Sequence, residues 1–268
     1  MSHELRFLSV IVPAFHQAKT IRADIAQIEL ALSDLEDIDY EMIVVVDGTR
    51  EDQTLKEAKM AARKSIRVVG YEHNRGKGYA IRYGMVRAKG DLIAFIDAGS
   101  DIKPEGISMI LSHFRWYRAD IVIGSKRHPV SKVNYPWYRK ILSFVYQSLI
   151  KLLFGLSIRD SQVGLKLFRR QVLEDVLPRL LVKRFAFDIE MLAVAHNLGY
   201  SRIFEAPVEL DFTGVSTITS ANFWKSIWSV LWDTIAVFYR LRILHYYDTS
   251  NKRRWRYDPE LDYRVNLP

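Results

Sequence analysis

Five short apolar runs, rich in β-branched residues, punctuate the first half of the chain: Leu8-Ser9-Val10-Ile11-Val12-Pro13, Glu41-Met42-Ile43-Val44-Val45-Val46, Ile66-Arg67-Val68-Val69-Gly70-Tyr71, Leu92-Ile93-Ala94-Phe95-Ile96 and Ile121-Val122-Ile123. Runs of this kind predict buried strands. Between them, residues 19–35, 53–64, 77–88 and 104–117 mix polar and apolar positions at helical spacing. The alternation predicts an α/β fold, a Rossmann-like, mostly parallel sheet with helices on both faces. No internal repeat or low-complexity segment interrupts it.

After residue 128 the pattern changes. Residues 135–158 are strongly apolar but carry Arg139, Lys140, Gln147 and Lys151. A second such stretch runs from 222 to 247, where Trp224, Trp228 and Trp232 recur every four residues and Ile227, Leu231, Ile235 and Phe238 fill the same broad face. A spanning helix needs ~20 mainly apolar residues, and charges at a bilayer centre cost several kcal/mol. Both stretches therefore read as amphipathic helices lying in an interface rather than crossing it; packing of the Trp stripe into an ordinary core is the competing reading. The expected organisation is one domain over 1–215, with 135–158 as an inserted interfacial helix, followed by a C-terminal amphipathic helix and basic tail over 216–268.

The 268 residues suffice for one sizeable α/β domain without staples. With no cysteine, disulfides and thiolate metal sites are excluded. The N-terminus does not read as a signal peptide. A formal net charge of +8 implies an anionic partner. Because basic residues of the second half lie beside Trp, Tyr and Leu, a membrane surface fits better than nucleic acid, for which there is no recognisable binding signature.

The chemistry concentrates at strand ends. Asp97-Ala98-Gly99-Ser100-Asp101 follows the fourth strand directly. Ligands collect outside the carboxyl ends of strands in open α/β sheets, and hard cations are held by one or two carboxylates plus substrate phosphates. Asp97 and Asp101 are thus candidate ligands for Mg2+ or Mn2+, although Asp97 capping the loop and Asp101 opening a helix is an alternative. Pro13 ends the first strand and opens a pocket-lining loop, where Phe15 is placed to lie against a base. Asp47 ends the second strand, able to accept hydrogen bonds from a ribose or base. Arg75-Gly76-Lys77-Gly78 lacks P-loop spacing but precedes a helix, so its amides and cations suit an anion; a basic surface turn is the simpler alternative. Asp188 and Glu190 are either candidate bases or acids near a helix N-terminus.

Taken in order, seven segments resemble a family-two glycosyltransferase with the GT-A fold, and within it the polyprenyl-phosphate (dolichyl-phosphate) mannose and glucose synthases. They are Val10-Ile11-Val12-Pro13-Ala14-Phe15-His16-Gln17, Val45-Val46-Asp47-Gly48-Thr49, Asn74-Arg75-Gly76-Lys77-Gly78, Asp97 to Asp101, Gly124-Ser125-Lys126-Arg127, Asp160 to Phe168, and Phe187-Asp188-Ile189-Glu190-Met191-Leu192. The likeness covers roughly residues 7–212. It implies a donor site of Pro13, Phe15, Gln17, Asp47, Arg75, Lys77, Asp97 and Ala98. Arg127 and Lys166 would receive an acceptor phosphate, since guanidinium and ammonium groups make charge-assisted contacts to phosphate. Asp97, Asp101, Arg127, Lys166 and Asp188 would form the catalytic set.

The implied reaction is inverting transfer of a hexose, from GDP-mannose or UDP-glucose, to a polyprenyl phosphate. The expected location is peripheral, on the cytoplasmic face of a membrane, with a membrane-embedded partner or a second copy as a possible companion. A phosphate acceptor, its second pKa near ~6, needs no general base. Transfer to a glycan or protein hydroxyl, and a catalytically silent nucleotide-sugar-binding subunit, are the alternatives. Four positions depart from the family pattern: Phe15 and Gln17 stand where Tyr and Glu are usual, Val46 replaces the first acid of an Asp-Asp pair, and Gly99 replaces the second Asp of the metal motif. Asn251-Lys252-Arg253-Arg254-Trp255 only approximates the Gln-x-x-Arg-Trp signature of processive synthases.

Overall fold

The computed structural model describes residues 6–99, 102–131, 137–183, 186–209 and 220–265, with side chains throughout except at 137–142, 220–227 and 252–254. Its first half alternates as the apolar pattern dictates: β1 (Phe7–Ala14), α1 (Ile21–Ser33), β2 (Asp39–Asp47), α2 (Thr54–Met60), β3 (Ile66–Tyr71), α3 (Lys77–Met85), β4 (Leu92–Ile96), α4 (Gly106–Tyr117) and β5 (Ile121–Ser125). The second half adds α5 (Trp137–Phe154), β6 (Leu165–Arg169), α6 (Arg170–Val176), α7 (Phe187–Asn197), β7 (Ile203–Pro207), α8 (Ser220–Phe238) and a small hairpin of β8 (Arg256–Asp258) and β9 (Tyr263–Val265).

Seven strands form one sheet in the order β3-β2-β1-β4-β6-β5-β7. β6 is antiparallel to both its neighbours, β4 and β5, while the remaining pairings are parallel. Alternate residues face opposite layers. Leu8, Val10 and Val12 of β1 pack with α1 and α4 through Ile21, Ile25, Ile110 and Phe114. Ile11 of β1, with Ile43 and Val45 of β2, packs on the other face against Ala80, Ile81 and Met85 of α3. Each such fully buried aliphatic side chain contributes ~1.5–3 kcal/mol.

The C-terminal stretch folds back onto this second layer. Val237, Leu241, Tyr247, Leu261 and Val265 share the core that holds Phe95 and Phe187. Tyr247 donates to Glu190 Oε1 at 2.7 Å, and Glu190 also accepts the N–H groups of Leu181 and Val182. Burial nevertheless pushes the Glu190 carboxyl up, against the pull of those hydrogen bonds. Glu190 is therefore a structural tie at the foot of α7.

The topology leaves β1 between β2 and β4, each reached by a crossover in the opposite direction. The loops after these strands part there, and the crevice they leave is where the site lies.

Close approach of α3 to the sheet requires Gly84. A Cβ at that position would lie 2.5 Å from Ile11 Cγ2 and 2.9 Å from Val45 Cγ2. Replacing a helical glycine by alanine gains ~1 kcal/mol of helix propensity, whereas overpacking costs ~1–3 kcal/mol. Gly84→Ala is expected to lower the urea midpoint of unfolding; a midpoint equal to or above the wild-type value would show that the sheet yields to the extra methyl.

Candidate active site

A cavity of about 420 Å³ opens at the carboxyl ends of β1, β2 and β4. Pro13, Ala14, Phe15 and Gln17 line it from β1 and its loop, Asp47 from β2, Asp97 and Ala98 from β4, and Asn74, Gly76, Lys77 and Ala80 from α3 and its approach. Of the eight donor residues expected from the sequence, seven line this hollow. Arg75 is the exception.

The approach to α3 explains why. Gly76 has φ +97°, a conformation only glycine takes without strain. Both oxygens of the buried Asp47 carboxylate hold this turn, accepting the N–H of Arg75 at 2.7 Å and that of Gly76 at 2.9 Å. With the backbone so fixed, the Arg75 side chain leaves the cavity. Its guanidinium lies over the rings of Tyr71 and Tyr79 and pairs with Glu260, from the turn between β8 and β9. The Arg75 side chain, expected at the donor, instead links the turn to the C-terminal hairpin in this structure. Val46 is buried in the layer beneath and does not line the cavity.

Lys77, the first residue of α3, points into the hollow. Its ammonium is 2.7 Å from Asp97 Oδ2 and 3.9 Å from Asp188 Oδ2. Asp188, at the start of α7, bonds in turn to Lys166 of β6 at 2.6 Å. Two lysines and two aspartates thus alternate in a chain, Asp97–Lys77–Asp188–Lys166. Both ammonium groups also lie over the Phe95 ring. Burial alone would lower the Lys77 pKa, but Asp97 and Asp188 outweigh it and hold the ammonium above its usual value. For Lys166 burial prevails over Asp188, aided by the like charge of Lys77, and the pKa falls.

Lys166 is fully buried, and its ammonium is occupied by Asp188 and the Val163 carbonyl at 2.6 Å. It faces inward from a central strand, so the residue expected at an acceptor phosphate is here bonded to Asp188 beneath the cavity. Arg127 is placed otherwise. On the loop after β5, its guanidinium donates to the Arg159 carbonyl at 3.2 Å and lies 5.8 Å from the ring centre of Phe144 on α5.

Asp97 has features of a cation ligand. Its buried Oδ1 has no hydrogen-bond partner among the described residues. Its backbone N–H donates to the Gly164 carbonyl at 2.9 Å, and a Cβ on Gly164 would lie 2.1 Å from Oδ2, so the carboxylate fills a cradle that only glycine leaves open. An unpaired hard oxygen fits Mg2+ or Mn2+, which take the rest of their shell from substrate phosphates and water. Asp101, the expected second ligand, lies outside the described residues. Among the described residues no cluster of three or more acidic or histidine side chains exists to hold a metal without substrate.

Gln17 Nε2 donates to the Ala98 carbonyl at 2.6 Å. The sequence reading missed two contributors: Gly164 shapes the Asp97 cradle, and Glu260 anchors Arg75. Gly164 carried a signal, as the glycine of the Ser-Gln-Val-Gly loop. Glu260 carried none.

Residues 9–177 match the family described as Glycosyl transferase family 2. The chain is 32% identical over 233 residues to a dolichyl-phosphate beta-glucosyltransferase of Drosophila melanogaster, covering 81% of this chain and 70% of that protein. It is 31% identical over 255 residues to the dolichyl-phosphate beta-glucosyltransferase of Homo sapiens, covering 88% and 76%. Among solved structures, glucosyl-3-phosphoglycerate synthase from Mycobacterium tuberculosis, in complex with Mn2+, UDP and glucosyl-3-phosphoglycerate, superposes with a TM-score of 0.66 at 18% identity, covering 87% of this chain and 80% of that one. A sheet with this crevice, a family match over most of the catalytic layer and relatives above 30% identity lead to one assignment: the chain belongs to glycosyltransferase family 2 and is a glycosyltransferase of the GT-A fold.

Proposed function

We propose that the protein transfers glucose from a nucleoside diphosphate donor to a polyprenyl phosphate of the dolichyl type, with inversion, at a membrane surface. The observation that carries this reading is the position of Arg127. Its guanidinium sits against Phe144, at the edge of an apolar surface, and hydrogen-bonds the loop 159–164 whose far end, Gly164, cradles Asp97. A cation between a greasy face and the donor crevice suits an acceptor whose phosphate carries a long hydrocarbon. The names of the fly and human relatives favour glucose over mannose and dolichyl phosphate as the acceptor class.

In this reading the base stacks near Phe15, which is 42% exposed. The Gly76 turn and Lys77 meet the diphosphate. Mg2+ or Mn2+, held by Asp97 and Asp101, would offset the charge that develops on the departing diphosphate. Arg127 holds the acceptor phosphate for backside attack, and positioning supplies much of the rate. In this reading Asp188 is not the general base; its carboxylate lies between the Lys77 and Lys166 ammonium groups and orients them. A phosphate acceptor needs no such base, which favours it over a hydroxyl acceptor.

The apolar surface comes from α5 and α8, which pack side by side through Tyr146–Thr234 and Phe154–Phe238. Leu152 is 82% exposed, Trp228 74% and Trp232 73%, with Phe144, Val145, Ile235 and Ile243 also exposed. Large exposed apolar patches mark interaction sites, and Trp prefers the bilayer interface. No helix among the described residues is long and apolar enough to cross a membrane.

Three measurements follow from this reading. Purified protein with UDP-glucose, Mn2+ and dolichyl phosphate in detergent is expected to yield a glucosyl lipid; no lipid-linked hexose from any nucleotide hexose, with the fold intact, would exclude it. The double substitution Trp228→Glu and Trp232→Glu is expected to abolish sedimentation with anionic phospholipid vesicles while leaving the thermal midpoint nearly unchanged, and undiminished sedimentation would move the membrane contact elsewhere. Glu260→Ala, by freeing Arg75 and loosening the Gly76 turn, is expected to raise the donor KM by about two- to fivefold with kcat retained, since partly exposed ion pairs are worth ~0.2–1 kcal/mol. A changed kcat at constant KM would show that the hairpin acts on something other than donor binding.

A further inference from the structure

The chain Asp97–Lys77–Asp188–Lys166 is electrically neutral as it stands. Its outermost member toward the cavity is Asp97, and the group on Asp97 is the Lys77 ammonium, 2.7 Å from Oδ2. The same carboxylate presents a buried Oδ1 that has no partner among the described residues. A divalent cation arriving alone would meet a carboxylate already neutralised and a resident ammonium beside it. A doubly negative diphosphate arriving alone would find its lysine held by an acid. Arriving together, cation and diphosphate would offset each other's charge: Asp97 would hold the cation, and the Lys77 ammonium, released from Asp97, would be free to pair with a phosphate oxygen. Lys77 is suited to such an exchange because its charge sits on a flexible stem at the first residue of α3, with the Gly76 turn in front of it.

We propose that Lys77 is a resident counter-cation of the donor site, occupying Asp97 until a divalent cation and a nucleoside diphosphate bind together, so that each binds weakly without the other. The inference rests on the donor assignment of this cavity and adds an order to it. Like-charge competition between ammonium and metal makes the coupling, and linkage requires it to be reciprocal. Asp188 keeps a second hold on Lys77 at 3.9 Å, so the ammonium is not lost to solvent during the exchange.

The test uses the full-length protein, Mn2+ followed by its electron paramagnetic resonance signal, and UDP as the nucleotide. Wild type is expected to take up Mn2+ weakly alone and roughly 5- to 150-fold more tightly with UDP, the usual span of site–site coupling. Lys77→Gln is expected to bind Mn2+ alone about fivefold or more tighter than wild type, while binding UDP more weakly at saturating Mn2+. These opposite signs separate the proposal from damage to the fold, which weakens both. Mn2+ affinity unchanged or lowered in Lys77→Gln, with UDP still bound by wild type, would overturn the counter-cation role and leave the donor site standing. Failure of wild type to bind UDP at any Mn2+ concentration would overturn the donor site itself. A measurement on unaltered protein guards against a variant that does not fold: with ε-13C-lysine labelling and Mg2+, one lysine resonance is expected to move when Mg2+ and UDP are added together and not with Mg2+ alone. A spectrum that shifts fully with Mg2+ alone would overturn the proposal.

Discussion

Asp97 leaves the end of β4 with its N–H on the Gly164 carbonyl and its carboxylate on the Lys77 ammonium, while the next residue, Ala98, gives its carbonyl to Gln17. Three segments far apart in sequence, the loop after β1, the start of α3 and the loop before β6, are fastened to one short turn. Because each contact involves a charged or backbone group at low exposure, loss of one leaves a polar atom without a partner. These contacts fix the wall of the crevice from three sides.

The same logic runs outward. Asp47 is not merely a wall of the cavity; its two oxygens fix the Gly76 turn that aims Lys77. Arg75, turned away by that geometry, hands the turn to Glu260, and Arg82 of α3 bonds Tyr263 at 3.2 Å. Lys166 and Asp188 support Lys77 from below. Charge in this protein is arranged in chains, where each group neutralises one neighbour and orients the next. This makes the buried lysine of β6 tolerable, since a buried charge without its partner costs several kcal/mol.

How much of this was legible in the sequence depends on the range of the interaction. β1 to β5 and α1 to α4 were readable because their signal is local: runs of buried residues with helical stretches between them. β6 was not, because Lys166 is the second residue of Leu165-Lys166-Leu167-Phe168-Arg169 and its neutralising partner is twenty-two residues away on α7. β7 pairs only with β5, at the sheet edge, and ends in Pro207. Within the site, residue types at strand ends located the hollow correctly, since topology alone puts those ends together. Side-chain direction was beyond reach: Arg75 and Lys77 are two residues apart, and only the dihedrals of Gly76 send one outward and the other in. The tail from Asn251 onward had no period to read, yet it supplies Glu260 and Tyr263.

The departures at Gln17 and Gly99 belong to one change. Gly99 has φ +61°, and a Cβ there would lie 2.6 Å from Gln17 Nε2. The carboxamide thus fills the room that a side chain at position 99 would need. Because the Ala98 carbonyl can only accept, the amide nitrogen must face it, which a glutamate at 17 could not do without a proton. Where the family places acids at both positions, this chain places a neutral amide and no side chain, and so removes negative charge beside Asp97. A Cβ at 99 would also lie 3.8 Å from Asp24 Oδ2, so an acid there would face a second carboxylate.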